Sequence, residues 1–121
     1  MAEPKQSKAP GHNIALVLSS GGGRGVAHIA VIEELLKSGH KITSIAGASM
    51  GAVVGGIYAA GKLPEFRDWL GHLDYWDVFN LLDFSISSKG FIKGEKVFKQ
   101  TEPFIPKVNI EDLDIPFVAV A

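Results

Sequence analysis

The sequence predicts an α/β domain with a three-layer, mainly parallel sheet flanked by helices. Three observations predict it. Residues 14–19 form a β-branched and leucine-rich run that empties into Ser-Ser-Gly-Gly-Gly. Residues 41–47 form a second short candidate strand, and each strand is followed by a stretch with helical character. Strand, helix, strand, helix in that order is the pattern of a parallel sheet built from βαβ units.

Each element has its own justification. Residues 14–19 suit a buried strand and its exit loop. From about Gly25 to Ser38, the residues Val26, Ile29, Ala30, Val31, Ile32, Leu35 and Leu36 cover a broad helical face. Glu33, Glu34 and Lys37 take the other side, and Gly39 is a fitting stop. Residues 41–47 are short enough for a second strand. Residues 49–61 follow as a helix apolar on nearly all sides. Gly51, Gly55 and Gly56 each cost that helix about 1 kcal/mol against alanine. Gly51 and Gly55 share a face, so close packing of this helix on the sheet is the expected compensation. Pro64 belongs in the first turn of a third helix running to about Leu70. Residues 72–94 have mixed periodicity and no firm assignment. A short helix over 95–101 is expected, ended by Pro103 and Pro106. Residues 115–121 are a continuous apolar run, expected as a strand buried on both faces. No helix follows to cover it, so the expectation is the N-terminal part of a longer domain; completion by a partner is the alternative.

Composition narrows the function. The 121 residues are 46% hydrophobic, carry a formal net charge of −1 and include no cysteine. That charge argues against nucleic acid as the main partner. Disulfides and thiolate metal sites are excluded. Residues 1–12 are polar and lysine-bearing, without the apolar centre of a secretory signal. No apolar stretch approaches the roughly 20 residues of a membrane-spanning helix. A soluble, cytoplasmic protein is the expectation.

Three consecutive glycines at a strand-to-helix hinge imply an anion close to the backbone. A dinucleotide is the first candidate, and its fingerprint needs glycines at i, i+2 and i+5. Counting from Gly21 places Val26 at the third position, and counting from Gly23 places His28 there. Both fail. The second strand also ends in Gly47-Ala48-Ser49, with no carboxylate to hold a ribose. Residues 56–63 satisfy a G-x-x-x-x-G-K pattern, but Leu63 stands where a magnesium-binding hydroxyl belongs. Gly61-Lys62 is better read as a helix C-cap.

The second motif is Gly47-Ala48-Ser49-Met50-Gly51, a G-x-S-x-G. Chance alone gives roughly 0.1 such matches in a chain of this composition, so the pattern decides nothing until its position is added. It falls where a predicted strand turns into a predicted helix, the context of a nucleophile elbow. There the serine is strained, and its neighbours two before and two after must be small; Gly47 and Gly51 comply. A right-handed βαβ crossover brings both exit loops to one edge of the sheet. The glycine knot is then expected beside Ser49, with two helix N-termini, near Arg24 and Met50, aiming amides into one volume. Such donors stabilise a developing oxyanion by roughly 3–4 kcal/mol each.

These residues resemble the patatin-like phospholipase family, bacterial type, in its N-terminal portion. Gly21, Gly22, Arg24 and Gly25 match its G-G-x-[RK]-G oxyanion loop; Gly47, Ser49 and Gly51 match its elbow. The likeness runs from about Ile14 to Gly61, with a fainter echo in residues 114–121. The resemblance implies a serine lipid acyl hydrolase of phospholipase A or esterase type. Ser49 is the expected nucleophile. The oxyanion hole is expected from Gly21, Gly22, Gly23, Arg24, Gly25 and the amide of Met50. It implies no metal, no organic cofactor and an acyl-ester substrate; peripheral contact with a membrane and the oligomeric state stay open. The domain organisation expected is a disordered tail over 1–13 and the N-terminal part of a patatin-like acyl hydrolase domain over 14–121.

One part of the family pattern has no match. The family's dyad uses an aspartate in a later Asp-Gly motif, and this sequence contains no Asp-Gly pair. Asp68, Asp74, Asp77, Asp83, Asp112 and Asp114 read as surface or turn residues. The general base is expected beyond Ala121, leaving this polypeptide inactive alone. Other residues have plainer readings beside the catalytic ones. Ser49 could be an ordinary N-cap. Arg24 is expected to shape its loop, and His28 to hold a hydrogen-bonded structural position instead of acting as a base. Tyr75, Trp76, Phe79, Phe84 and Phe91 read first as core, with an acyl pocket or lipid-facing lid as the alternative. The rival functions are a non-catalytic α/β module that binds a partner through an open sheet edge, and an acyltransferase-like serine enzyme, which would need a later histidine.

Overall fold

The computed structural model describes residues 10–74 and 99–120. Their elements in chain order are β1 (Asn13–Leu18), a 3-10 turn (Gly22–Val26), α1 (Ala27–Lys37), β2 (Lys41–Ala48), α2 (Met50–Ala59) and α3 (Leu63–Gly71). Two more 3-10 turns (Glu102–Phe104 and Ile110–Asp112) lead to β3 (Phe117–Val120). The strands form a parallel sheet in the order β1-β2-β3. The aromatic positions from Tyr75 to Phe91, Asp77, Asp83, the tail over 1–9 and the first part of the helix expected over 95–101 lie outside the described residues.

Both crossovers step the same way across the sheet, and right-handed connections of that kind lay their helices on one face. The core agrees. Leu18, Ile42 and Ile45 from the sheet join Ile29 and Ile32 of α1, Val54 and Ile57 of α2, and Leu63, Phe66 and Leu70 of α3 in one buried cluster. Phe66 stacks on Trp69 at 5.8 Å and meets Phe104 edge-on at 5.6 Å, which docks the 3-10 turn at Glu102–Phe104 on α3. The sheet and helices therefore form the α/β architecture that the order of strands and helices predicts.

Two details of β2 set which side chains reach that core. The ladder runs Ile14↔Ile42 and then Ala15↔Ser44, so Thr43 is an extra residue in β2. This bulge puts Ile42 and Ile45, three apart, on the same face, where strict alternation would separate them. The Thr43 hydroxyl donates to the Ile14 carbonyl at 3.2 Å.

The expectation of fully buried outer strands is corrected. β1 alternates instead: Ile14 and Leu16 point toward the helices while Val17 is 78% exposed. In β3, Val118 and Val120 are 57% and 54% exposed. Val17, Ala46 and Val118 form one row across all three strands, on the face away from the described helices. The cause is that α1, α2 and α3 share a face, so alternate side chains of the edge strands have no described cover. β3 also starts at Phe117 instead of Ile115. Pro116 has no N–H to give a ladder, though its carbonyl accepts from the Ile45 amide at 2.9 Å.

Helix ends follow local chemistry. α1 begins at Ala27 instead of Gly25, because the glycines wind as a 3-10 turn in which the Arg24 amide bonds the Gly21 carbonyl at 3.0 Å. At the other end of α1, the amides of Gly39 and His40 bond the carbonyls of Leu36 and Leu35. α2 closes the same way, Gly61 to Tyr58 and Lys62 to Ile57. Both are Schellman ends, with Gly39 and Gly61 at φ 88° and 74°. The G-x-x-x-x-G-K match is thus a helix stop, as its position in the sequence predicts. Among the described residues no helix is long and apolar enough to cross a membrane.

Candidate active site

The register brings the two glycine motifs together. Leu18, the last residue of β1, pairs with Gly47 near the end of β2, so both exit loops leave the sheet level with each other at its carboxyl edge. Their backbones touch. A Cβ on Gly51 would meet the Ser19 carbonyl oxygen at 2.6 Å and overlap the Leu18 carbonyl outright. A Cβ on Gly25 would fall 2.5 Å from Met50 Cβ, so Gly25 is the only residue type that lets the 3-10 turn lie on the first turn of α2. Gly47 is equally constrained, since a Cβ there would fall 2.5 Å from the Gly51 carbonyl carbon. Small residues two before and two after the serine are therefore a packing necessity of this turn.

Ser49 sits at the apex, with φ 51° and ψ −123°. It is the one non-glycine residue with positive φ among the described residues. Such a conformation costs of order 1–3 kcal/mol and points to a function that needs it. Ser49 occupies the N-cap position of α2, and its carbonyl accepts from the amides of Ala52 and Val53 at 2.9 and 3.1 Å. Its hydroxyl makes no cap hydrogen bond. The plain N-cap reading is therefore missing its defining contact, and the side chain stands exposed at the loop tip.

The other residues fall around it in a graded way. Gly21 and Arg24 are exposed, Gly22 and Gly23 half-buried, and Gly25, Gly47, Met50 and Gly51 buried. Gly22 has φ 52°, the left-handed turn that lets the loop double back toward α1. His28, the second residue of α1, donates from Nε2 to the Ser19 carbonyl at 2.7 Å. Asp68, Asp74, Asp112 and Asp114 are exposed, as their sequence context predicts.

An apolar groove that the sequence does not announce starts at Ser49. It encloses about 400 Å³ between α2 and the segment leading to β3. Ala52, Val53, Gly56 and Ala60 form its α2 wall, and Ile105, Val108 and Leu113 face them. The α2 wall has a signal in retrospect: small residues recur along one face below Ser49. The opposite wall is irregular backbone without periodicity, so nothing local marks it. Tyr58 lies elsewhere, beside Glu33 and Leu63, and burial raises its phenol above the ordinary value of 10.0. No group of three or more carboxylate and imidazole side chains able to hold a metal occurs among the described residues. An exposed, strained hydroxyl between two glycine-permitted backbone turns, at the mouth of an apolar groove, has the parts for nucleophilic acyl transfer.

Known proteins are similar to this chain. A family model described as patatin-like phospholipase matches residues 16–120. Uncharacterized NTE family proteins of Mycobacterium bovis and Mycobacterium tuberculosis (strain H37Rv) are 49% identical over 108 residues, 89% of this chain. The neuropathy target esterase sws of Drosophila persimilis is 31% identical over 112 residues, 88% of this chain and 8% of that protein. The chain spans 30% of the length of the mycobacterial relatives it matches.

Proposed function

The chain belongs to the patatin-like phospholipase family, and from that premise we propose that it is the nucleophile-bearing part of a serine hydrolase of lipid acyl esters. Ser49 Oγ attacks the acyl carbonyl carbon and gives up its proton. The carbonyl oxygen takes the negative charge, held by amides of the Gly21–Gly25 loop and of Met50. The tetrahedral centre collapses, the alcohol leaves with a proton, and the acyl group stays on Ser49 until water releases it as the acid. The acyl chain lies in the apolar groove along α2. The proton acceptor is an aspartate in an Asp-Gly context, which these 121 residues do not contain. The reading includes a cytoplasmic location.

The observation that carries this reading is the positive φ of Ser49 with its hydroxyl left out of the helix cap. A fluorophosphonate tests it, because Ser49 Oγ forms a bond to phosphorus as fluoride leaves. Mass spectrometry should find one adduct per chain, on Ser49, lost in Ser49→Ala. An adduct on another residue, or none after prolonged incubation, overturns the nucleophile assignment. Ester turnover by this polypeptide alone should be negligible; robust turnover abolished by Ser49→Ala would refute the missing base. A non-catalytic module that binds through the β3 edge of the sheet, which is unpaired among the described residues, is the second reading. It predicts no labelling.

A further inference from the structure

We propose that His28 is the positioning residue of the oxyanion loop: its Nε2–H, held on the Ser19 carbonyl, keeps the glycine turn folded against the elbow. The inference rests on the proposed hydrolase reading and goes beyond it, since it assigns a histidine that no step of that chemistry uses.

The loop needs such a hold. From Ser19 to Gly25 the chain carries three consecutive glycines, each free to adopt many backbone states, and Gly22 is held at φ 52°. A 3-10 turn of this length has weak hydrogen-bond geometry of its own. Its amides can serve an oxyanion only if the turn is already in place when charge develops. The hydrogen bond from His28 to Ser19 spans nine positions and ties the first turn of α1 to the end of β1, on either side of the turn. A carbonyl can only accept, so Nε2 carries the proton. At 2.7 Å the bond is short for a nitrogen donor.

Two contacts direct the consequence toward Ser49. The Ser19 carbonyl that His28 holds is one of the two carbonyls against which Gly51 packs. The imidazole also lies beside Gly25, with Cδ2 3.8 Å from where a Cβ would stand, and Gly25 rests on Met50. One ring therefore borders both contacts that join the loop to the elbow. If the ring is lost, Ser19 can turn to water, since it is exposed. The fold survives while the spacing between cup and nucleophile relaxes.

The test compares wild type with His28→Phe, which keeps a ring without the donor, and His28→Gln, whose amide nitrogen reaches the Nε2 position. Two readouts are taken: the rate of Ser49 phosphonylation by a fluorophosphonate, and amide hydrogen exchange across residues 19–28. H28F should slow labelling about tenfold, the scale of one lost hydrogen bond in a preorganised site. It should also speed exchange of the glycine amides by about the same factor, with the far end of α1 unaffected. H28Q should restore both. If H28F fails to fold, the pair H28Q and H28N decides, because asparagine is too short to place its donor. Unchanged labelling in H28F, or faster exchange without slower labelling, overturns the positioning role. If wild type takes no label at all, the hydrolase reading fails, while exchange in H28F still decides whether His28 holds the loop.

Discussion

Ser49 is held in a conformation that a side chain pays for, at roughly 1–3 kcal/mol, and the residues around it explain how the strain persists. Gly47 and Gly51 leave no slack in the turn, because each already sits against backbone where a Cβ would collide. The strain gives a prediction at this scale. Ser49→Gly should raise stability by about 1 kcal/mol in urea denaturation while abolishing fluorophosphonate labelling. A loss of stability would mean that the hydroxyl has a structural partner. This constellation was legible in the sequence because its rules are local: an elbow needs small neighbours at fixed offsets, and the offsets can be counted. The hydrogen bond from His28 to Ser19 was legible only in part. A structural role for the histidine followed from its place on α1, but its acceptor depends on how the loop folds back.

At the scale of the element, three glycines in and just after α2 have three different reasons. Gly51 meets the Leu18 and Ser19 carbonyls, backbone that cannot move aside. Gly56 faces only the Phe117 ring, 3.3 Å from where a Cβ would stand. Gly61 has nothing within 4 Å but a φ of 74°. Replacement by alanine should therefore separate them in urea melts. Gly51→Ala should cost about 3 kcal/mol or more, and Gly61→Ala about 1–2 kcal/mol from backbone strain alone. Gly56→Ala should be neutral or stabilising by up to about 1 kcal/mol, as helix propensity outweighs a small ring shift. Equal costs at all three sites would contradict this account. Element identity was readable here from periodicity, but boundaries were not. The 3-10 turn has no apolar period to betray it, and the start of β3 is fixed by the missing N–H of Pro116.

Over the whole molecule, the described helices cover one face of the sheet and leave the row Val17, Ala46 and Val118 on the other. An apolar strip of this kind in water recruits hydrophobic ligands. The polypeptide should bind an apolar fluorescent dye such as ANS, and Val17→Lys with Val118→Lys should reduce the signal severalfold without loss of helix content. An unchanged signal would locate the dye elsewhere, the Ser49 groove being the obvious place. The sequence could not foresee this exposure, since an uninterrupted apolar run looks the same whether one or both sides are covered. Nor could it foresee the groove, whose far wall joins residues more than fifty positions from Ser49 through irregular chain. The bulge at Thr43 has a final consequence for how such a sheet tolerates lost residues. Removing any single amino acid after Ile45 would rotate the rest of the strand by half a turn and send the serine's loop to the wrong side. Removing Thr43 would merely straighten a kink, so the strand has one dispensable position, and it lies well upstream of Ser49.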